Sequence, residues 1–178
     1  MAKTTYRMEM QNPDQFVQKE NKGTDFSILQ VAEPYPELAK FFHTVVGHPW
    51  RWGGRDGWGE KEWQAYVSRP GFEMWIGYRA GTPVGYFELC HHEAGDVQIL
   101  TMGLMPKFIG QKMGGPLLTA AVKRAWERNP TKVRLSTCSH DHPRAKDTYC
   151  SVGFEVTEVI ESAEENPPIP SFWEWAGK

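Results

Sequence analysis

Cysteine is scarce in this chain: only Cys90, Cys138 and Cys150 are present, and no two of them stand at CxxC spacing. That argues against a disulfide framework and a thiolate metal knot, and reduced thiols in a cytoplasmic setting are the simple expectation. No stretch is apolar for long enough to cross a bilayer, and Met1-Ala2-Lys3-Thr4-Thr5-Tyr6 lacks the apolar core of a signal peptide. A surplus of one charge is missing too. Asp and Glu number 22 against 20 Lys and Arg, a net charge of -2, which argues against a general nucleic-acid or membrane-surface binder. Neither the Walker phosphate loop nor the dinucleotide GxGxxG is found, so ATP and NAD readings lose ground. What remains is 178 residues without repeats or low-complexity tracts, expected to form one domain, 1–178, around a sizeable core.

The chain is organised around Val97 to Asn129. Val97 to Met105 is an apolar, partly β-branched run that Pro106 stops. From Pro116 onward Leu117, Leu118, Ala121, Val122, Ala125 and Trp126 recur at helical spacing, with Lys123, Arg124, Glu127 and Arg128 opposite them. Gly110, Gly114 and Gly115 lie between strand and helix. Such a turn is either a plain tight connection or a cradle for a phosphate-bearing ligand, built from free helix amides beside Lys107 and Lys112.

Around this centre the sequence predicts further elements. Tyr6 to Met10 is a short strand or a frayed arm, Asn21 to Asp25 a polar turn, and Phe26 to Val31 a strand. A helix is expected from Glu37 to Val46, with Leu38, Phe41, Phe42, Val45 and Val46 as its apolar set, and a shorter one from Glu60 to Ser68. Phe72 to Tyr78, Pro83 to His92 and the central run follow through short turns, so they pair antiparallel. Val133 to Cys138 returns from a helical crossover and is expected parallel to the central strand. In the loop Ser139 to Pro143, Asp141 or His142 is placed to cap the next short helix, which Gly153 ends. Phe154 to Ile160 reads as the last clear strand. Glu161 to Pro170 reads as a loop, and Ser171 to Trp175 as an edge strand or a flap over the cleft.

Two stretches carry a family resemblance. The run Gly103-Leu104-Met105-Pro106-Lys107-Phe108-Ile109-Gly110-Gln111-Lys112-Met113-Gly114-Gly115 resembles the loop G-L-M-P-x-F-I-G-x-G-x-G-G of a bacterial subgroup of the GNAT N-acetyltransferases. Lys112 departs from it, standing where the family usually has glycine. Downstream, His142, Ala145, Tyr149, Gly153 and Phe154 resemble the family's N-x-x-A…Y-x-x-x-G-F ending, with His142 in place of Asn.

The resemblance implies an α/β (α+β) fold: a mixed, mainly antiparallel sheet flanked by helices, with a splayed parallel strand pair that binds CoA. It implies acetyl-CoA as co-substrate and transfer of acetyl to a primary amine. A small-molecule amine is the first expectation, with a peptide or protein amine, or a CoA-binding module of little turnover, as alternatives. Met102, Gly103 and Leu104 are placed against the pantetheine arm. Ile109, Gly110, Gln111, Lys112, Met113, Gly114 and Gly115 are placed at the pyrophosphate, and His142 and Tyr149 near the sulfur, with Tyr149 as general acid. The family's usual carboxylate on the central strand falls at Gln98, which cannot take a proton. Glu88 next door is then the expected base, with Asp141 and His140 behind it. Gln98, Thr137 and Cys138 are expected on the acceptor side.

The loop from Gly47 to Gly59 carries Trp50, Trp52 and Trp58, with Trp63 and Tyr66 after it. These rings are either satellite core or an aromatic acceptor pocket that gives cation–π help to a flat or apolar-bodied amine. No metal site is expected: His91 and His92 point to opposite faces of a strand, and His140 and His142 suit a loop. A monomer or homodimer is expected, without nucleic-acid or membrane partners.

Overall fold

Among the described residues, strand β5 (Val97–Leu104) lies at the centre of a seven-stranded sheet. The computed structural model describes residues 2–19 and 25–163. The other strands are β1 (Lys3–Met10), β2 (Phe26–Gln30), β3 (Phe72–Arg79), β4 (Thr82–His91), β6 (Val133–Cys138) and β7 (Glu155–Ser162). Their order across the sheet is β2-β3-β4-β5-β6-β1-β7. β2 through β5 pair antiparallel in sequence order, and β5 with β6 is parallel, as the helical crossover requires. The expected mixed sheet is therefore present.

The leading segment is no frayed arm. β1 starts three residues earlier than Tyr6 and sits between β6 and β7, antiparallel to both. Met8 and Met10 on it are fully buried. β7 runs past Ile160 to Ser162, into what reads as loop in the sequence. The polar turn at Asn21 to Asp25, apart from Asp25 itself, and the segment Ser171 to Trp175 lie outside the described residues.

Among the described residues, four helices flank the sheet: α1 (Pro36–Gly47), α2 (Glu60–Val67), α3 (Gly114–Trp126) and α4 (Ala145–Cys150). α3 covers one face, placing Leu117, Leu118, Ala121, Val122 and Ala125 against Phe87, Leu89, Val97 and Ile99. Burying side chains of Leu or Val size contributes about 1.5–3 kcal/mol each. α1 and α2 cover the other face. The buried set of α1 is Ala39, Phe42, His43, Val46 and Gly47, so one expectation needs correction. Phe41 is half exposed and His43 turns inward, because the face that meets the sheet follows 39, 42, 43 and 46.

One irregularity shapes the middle of the sheet. Glu88 pairs with Thr101 but Leu89 pairs with Ile99, which leaves Leu100 as an extra residue in β5. Such a bulge disturbs the alternation of faces. Leu100 packs beside Trp63 and Tyr66, and Thr101 turns to the same side to meet Glu88.

Candidate active site

β5 and β6 pair only at Val97↔Val133 and Gln98↔Arg134. Beyond Gln98 they part, and a cleft of about 1860 Å³ opens between them. It runs from the turn before α3 to the tryptophan-rich loop after α1.

At one end, Met102, Gly103 and Leu104 line the wall, as do Ile109, Gly110, Lys112, Gly114 and Gly115. A Cβ at Gly103 would lie 2.5 Å from Cγ1 of Val46, so any larger residue would push α1 away. The bare backbone lets α1 settle on β5. Gly110 has φ +81° with open space where a Cβ would project. Lys112 adopts φ 61°, the left-handed conformation that favours glycine, at the position where the resemblance expects glycine. α3 begins at Gly114, two residues earlier than the periodicity suggests, and Met113 at its N-cap supplies no side-chain acceptor. The amides of Gly114 and Gly115 are thus not covered by a cap, and Pro116 has none to offer. Gln111 and Met113 do not line the cleft. Gln111 accepts from Arg79 Nη1 at 2.9 Å and donates to the Lys107 carbonyl, while Met113 is fully buried beside Phe108.

At the waist stand Tyr149, His142, Thr137 and Cys138, all lining the cleft. Tyr149 packs edge-on against Phe154. Burial, and the Asp141 charge nearby, push its phenol above the usual range, so it keeps its proton at neutral pH. Burial likewise raises the Cys138 thiol, which suits a lining residue and not a nucleophile. Asp141 does not cap α4. Its Oδ2 accepts from Thr137 Oγ1 at 2.6 Å and from the Cys138 amide at 2.9 Å, and its Oδ1 accepts from Trp52 Nε1 at 3.0 Å. α4 has no side-chain cap of its own; His142 Nδ1 accepts from the Arg144 amide just before it.

At the far end, Trp50, Trp52 and Trp58 line the cleft. Trp50 meets the His142 ring edge-on, with centroids 5.1 Å apart. Trp58, Trp63 and Tyr66 surround the guanidinium of Arg55, which lies 5.6, 5.5 and 4.0 Å from their ring centroids. The cation–π capacity expected for an incoming amine is therefore already engaged by Arg55 at those three rings. Trp50 and Trp52 lie outside that cage.

Glu88 and Gln98 lie behind the wall and not on it. Glu88 is fully buried, accepting from Tyr66 Oη at 2.5 Å and Thr101 Oγ1 at 2.6 Å. Burial raises its carboxyl pKa, against the pull of Arg55 and the two hydroxyls. Thr101 lines the cleft and so stands between Glu88 and the open space. Gln98 sits at the last paired position of β5 and β6, before they part. Arg55, His43 and Thr101 are cleft residues that the sequence reading passed over. Only Arg55 had a signal, as a cation set among tryptophans.

The family model described as "Acetyltransferase (GNAT) domain" matches residues 57–166. Among solved structures, a GCN5-related N-acetyltransferase from Kribbella flavida superposes with a TM-score of 0.62 at 16% identity, over 88% of this chain and 55% of that one. Another, from Sphaerobacter thermophilus, gives 0.63 at 16% identity, over 88% of this chain and 49% of that one. An aminoglycoside acetyltransferase from an uncultured soil metagenomic sample, solved with trehalose, gives 0.57 at 14% identity, over 82% and 97%. At these identities the likeness is one of fold, and the chain spans about half the length of the first two. A search of curated proteins found no match. Among the described residues, no helix is long and apolar enough to cross a membrane.

Proposed function

Because the chain belongs to the GNAT acetyltransferase domain family, whose model it matches over residues 57–166, we propose that it transfers acetyl from acetyl-CoA to the primary amine of a small molecule by direct attack. The observation that carries this reading is the parting of β5 and β6 after two paired positions. Ligand pockets commonly hold about 300–1,000 Å³, so a cleft of about 1860 Å³ has room for a long thioester and an acceptor together.

Acetyl-CoA, when bound, supplies the thioester. The turn from Ile109 to Gly115 suits its pyrophosphate, through the uncapped amides of Gly114 and Gly115 and the charge of Lys112. The backbone from Met102 to Leu104 faces the gap left by β6 and suits the pantetheine arm, where an amide can polarise the thioester carbonyl. Tyr149, still protonated, gives its proton to the departing sulfur. On the acceptor side, Thr101 Oγ1 points its own proton at Glu88 and so has lone pairs free for the amine. As the C–N bond forms and the C–S bond breaks, the amine proton passes through Thr101 to Glu88, whose raised pKa suits that task.

A small acceptor is favoured over a peptide or protein because Trp52–Asp141 and Trp50–His142 contacts span the acceptor end. A chain threaded through would have to part them. Free-thiol detection with a panel of amines tests the reading. Steady thiol release with any amine supports it, and tight CoA binding with silence throughout replaces it with a CoA-binding module.

A further inference from the structure

Among the described residues' buried polar groups without hydrogen-bond partners, three line the cleft: Arg55, His43 and Trp63. Arg55 Nη2 donates to Tyr66 Oη at 2.6 Å. Its Nη1 stands 3.6 Å from Glu88 Oε2, beyond hydrogen-bond length, and has no hydrogen-bond partner. His43 is 8% exposed and packed against the rings of Trp52 and Trp63; the Trp52 backbone lies near its imidazole, but neither ring nitrogen makes a hydrogen bond of good geometry. Arg55 and His43 share Trp63, its guanidinium 5.5 Å and the imidazole 5.7 Å from that ring. Burial, helped by the Arg55 charge, holds the His43 pKa down to about 3. The ring is neutral at pH 7 and keeps one N–H to donate. Buried donors are ordinarily satisfied, so this pair calls for an acceptor group.

The chemistry of that group is narrow. A second cation beside Arg55 would be repelled, and Arg55 already engages the rings that would attract it. A neutral group would give Nη1 a hydrogen bond without charge assistance, and its ion-pair partner Glu88 Oε2 stays 3.6 Å away. A carboxylate has two oxygens, one for Nη1–H and one for the imidazole N–H, and charge-assisted bonds of this kind are the strong ones. Glu88 is fully buried and takes the Tyr66 and Thr101 hydroxyls on the same Oε2 that faces Nη1 at 3.6 Å; its Oε1 has no hydrogen-bond partner, so it pairs with Arg55 by charge and not by a hydrogen bond. Building on the acetyl-transfer reading, we propose that the acceptor is an amino-carboxylic acid with a flat or apolar body, its carboxylate received by Arg55 and His43 and its body lying along Trp50 and Trp52.

Tryptophan fluorescence titrated with phenylacetate and with phenylacetamide, in the absence of acetyl-CoA, tests the pocket apart from the reaction. Phenylacetate should bind at least about tenfold tighter, the scale of one charge-assisted hydrogen bond. Arg55→Gln should abolish the preference and Arg55→Lys keep part of it, with the rise in melting temperature given by acetyl-CoA as the check on the fold. Equal binding of the two probes by the wild type, or binding of neither, overturns the proposal. So does a folded Arg55→Gln protein that keeps the preference. If Arg55→Gln does not fold, His43→Phe keeps the ring and drops the N–H; it must lower the preference, and an unchanged preference overturns the proposal. Thiol release with phenylalanine against phenylalaninamide is the separate readout. Silence with both, alongside an intact phenylacetate preference, counts against acetyl transfer alone.

Discussion

The indole Nε1 of Trp52 donates a 3.0 Å hydrogen bond to Oδ1 of Asp141, 89 residues away in sequence. It joins the loop after α1 to the loop after β6 across the mouth of the cleft. The same carboxylate holds Thr137 and the Cys138 amide, so three donors depend on one side chain. Asp141→Ala should lower stability by about 1–3 kcal/mol, the range for losing bonds to a charged group, and should raise KM for the acceptor. Asp141→Asn, which keeps one carbonyl oxygen, should fall between. Urea unfolding with an unchanged midpoint in Asp141→Ala would mean that the two loops do not lean on this carboxylate.

The turn before α3 invites a sharper test. A Cβ at Gly114 would meet Leu104 Cδ1 at 3.8 Å, an ordinary contact, whereas one at Gly115 would press Lys19 Cβ at 3.2 Å. Gly114→Glu should therefore fold, and a carboxylate in the first turn of a helix even suits its dipole. It should nonetheless repel a pyrophosphate. The expected result is a melting temperature near wild type without acetyl-CoA, and little or no rise with it. A full ligand-induced rise would move the pyrophosphate elsewhere.

Much of this architecture is legible in the sequence because its signals are local. The stop at Pro106, the 3.6-residue rhythm after Pro116 and the short turns among β3, β4 and β5 each act within a few residues. The place of β1 between β6 and β7 is not local, and nothing in Tyr6 to Met10 names its neighbours. Glu88 is readable as a carboxylate on β4. Its burial behind Thr101 is not, because it depends on a bulge at Leu100 and on Tyr66 arriving from α2. The tryptophan loop announces a special place, but only the packed structure shows Arg55 within its rings. His43 gives no signal at all: it reads as one polar residue in an amphipathic helix.

Tyr149 separates proton donation from packing. Phenylalanine keeps the ring against Phe154 and removes only the hydroxyl. Tyr149→Phe should bind acetyl-CoA nearly as wild type does and lose roughly 10- to 10³-fold in kcat, within or just below the range for acid–base residues. Equal loss in kcat and acetyl-CoA affinity would make Tyr149 a wall of the pocket. An unchanged kcat would end its role as the acid.

Glu88 makes a prediction in both activity and stability. Glu88→Gln removes the terminal proton acceptor and should lower kcat/KM by about 10²-fold or more; Thr101→Val should do the same if Thr101 carries the proton. Activity unchanged across pH in Glu88→Gln would remove Glu88 from the mechanism. The stability arm follows from the direction of its shift. Burial raises the folded-state pKa above that of the unfolded chain, which lies near 4.3–4.5. Below that value both states hold the proton, and the stabilising contribution is fully present. As pH rises toward the folded pKa, the unfolded chain releases its proton while the folded protein retains it, so stability is lost. Glutamine never titrates. The melting temperature of Glu88→Gln minus that of wild type should therefore grow more positive as pH rises above the unfolded value, and level off once the folded carboxylate ionises and can act as the base. His43 has the opposite sign, but it is common to both proteins and drops out of the difference. A difference that stays flat as pH rises would mean that Glu88 is ionised in the fold at its ordinary pKa, held there by Arg55 3.6 Å away.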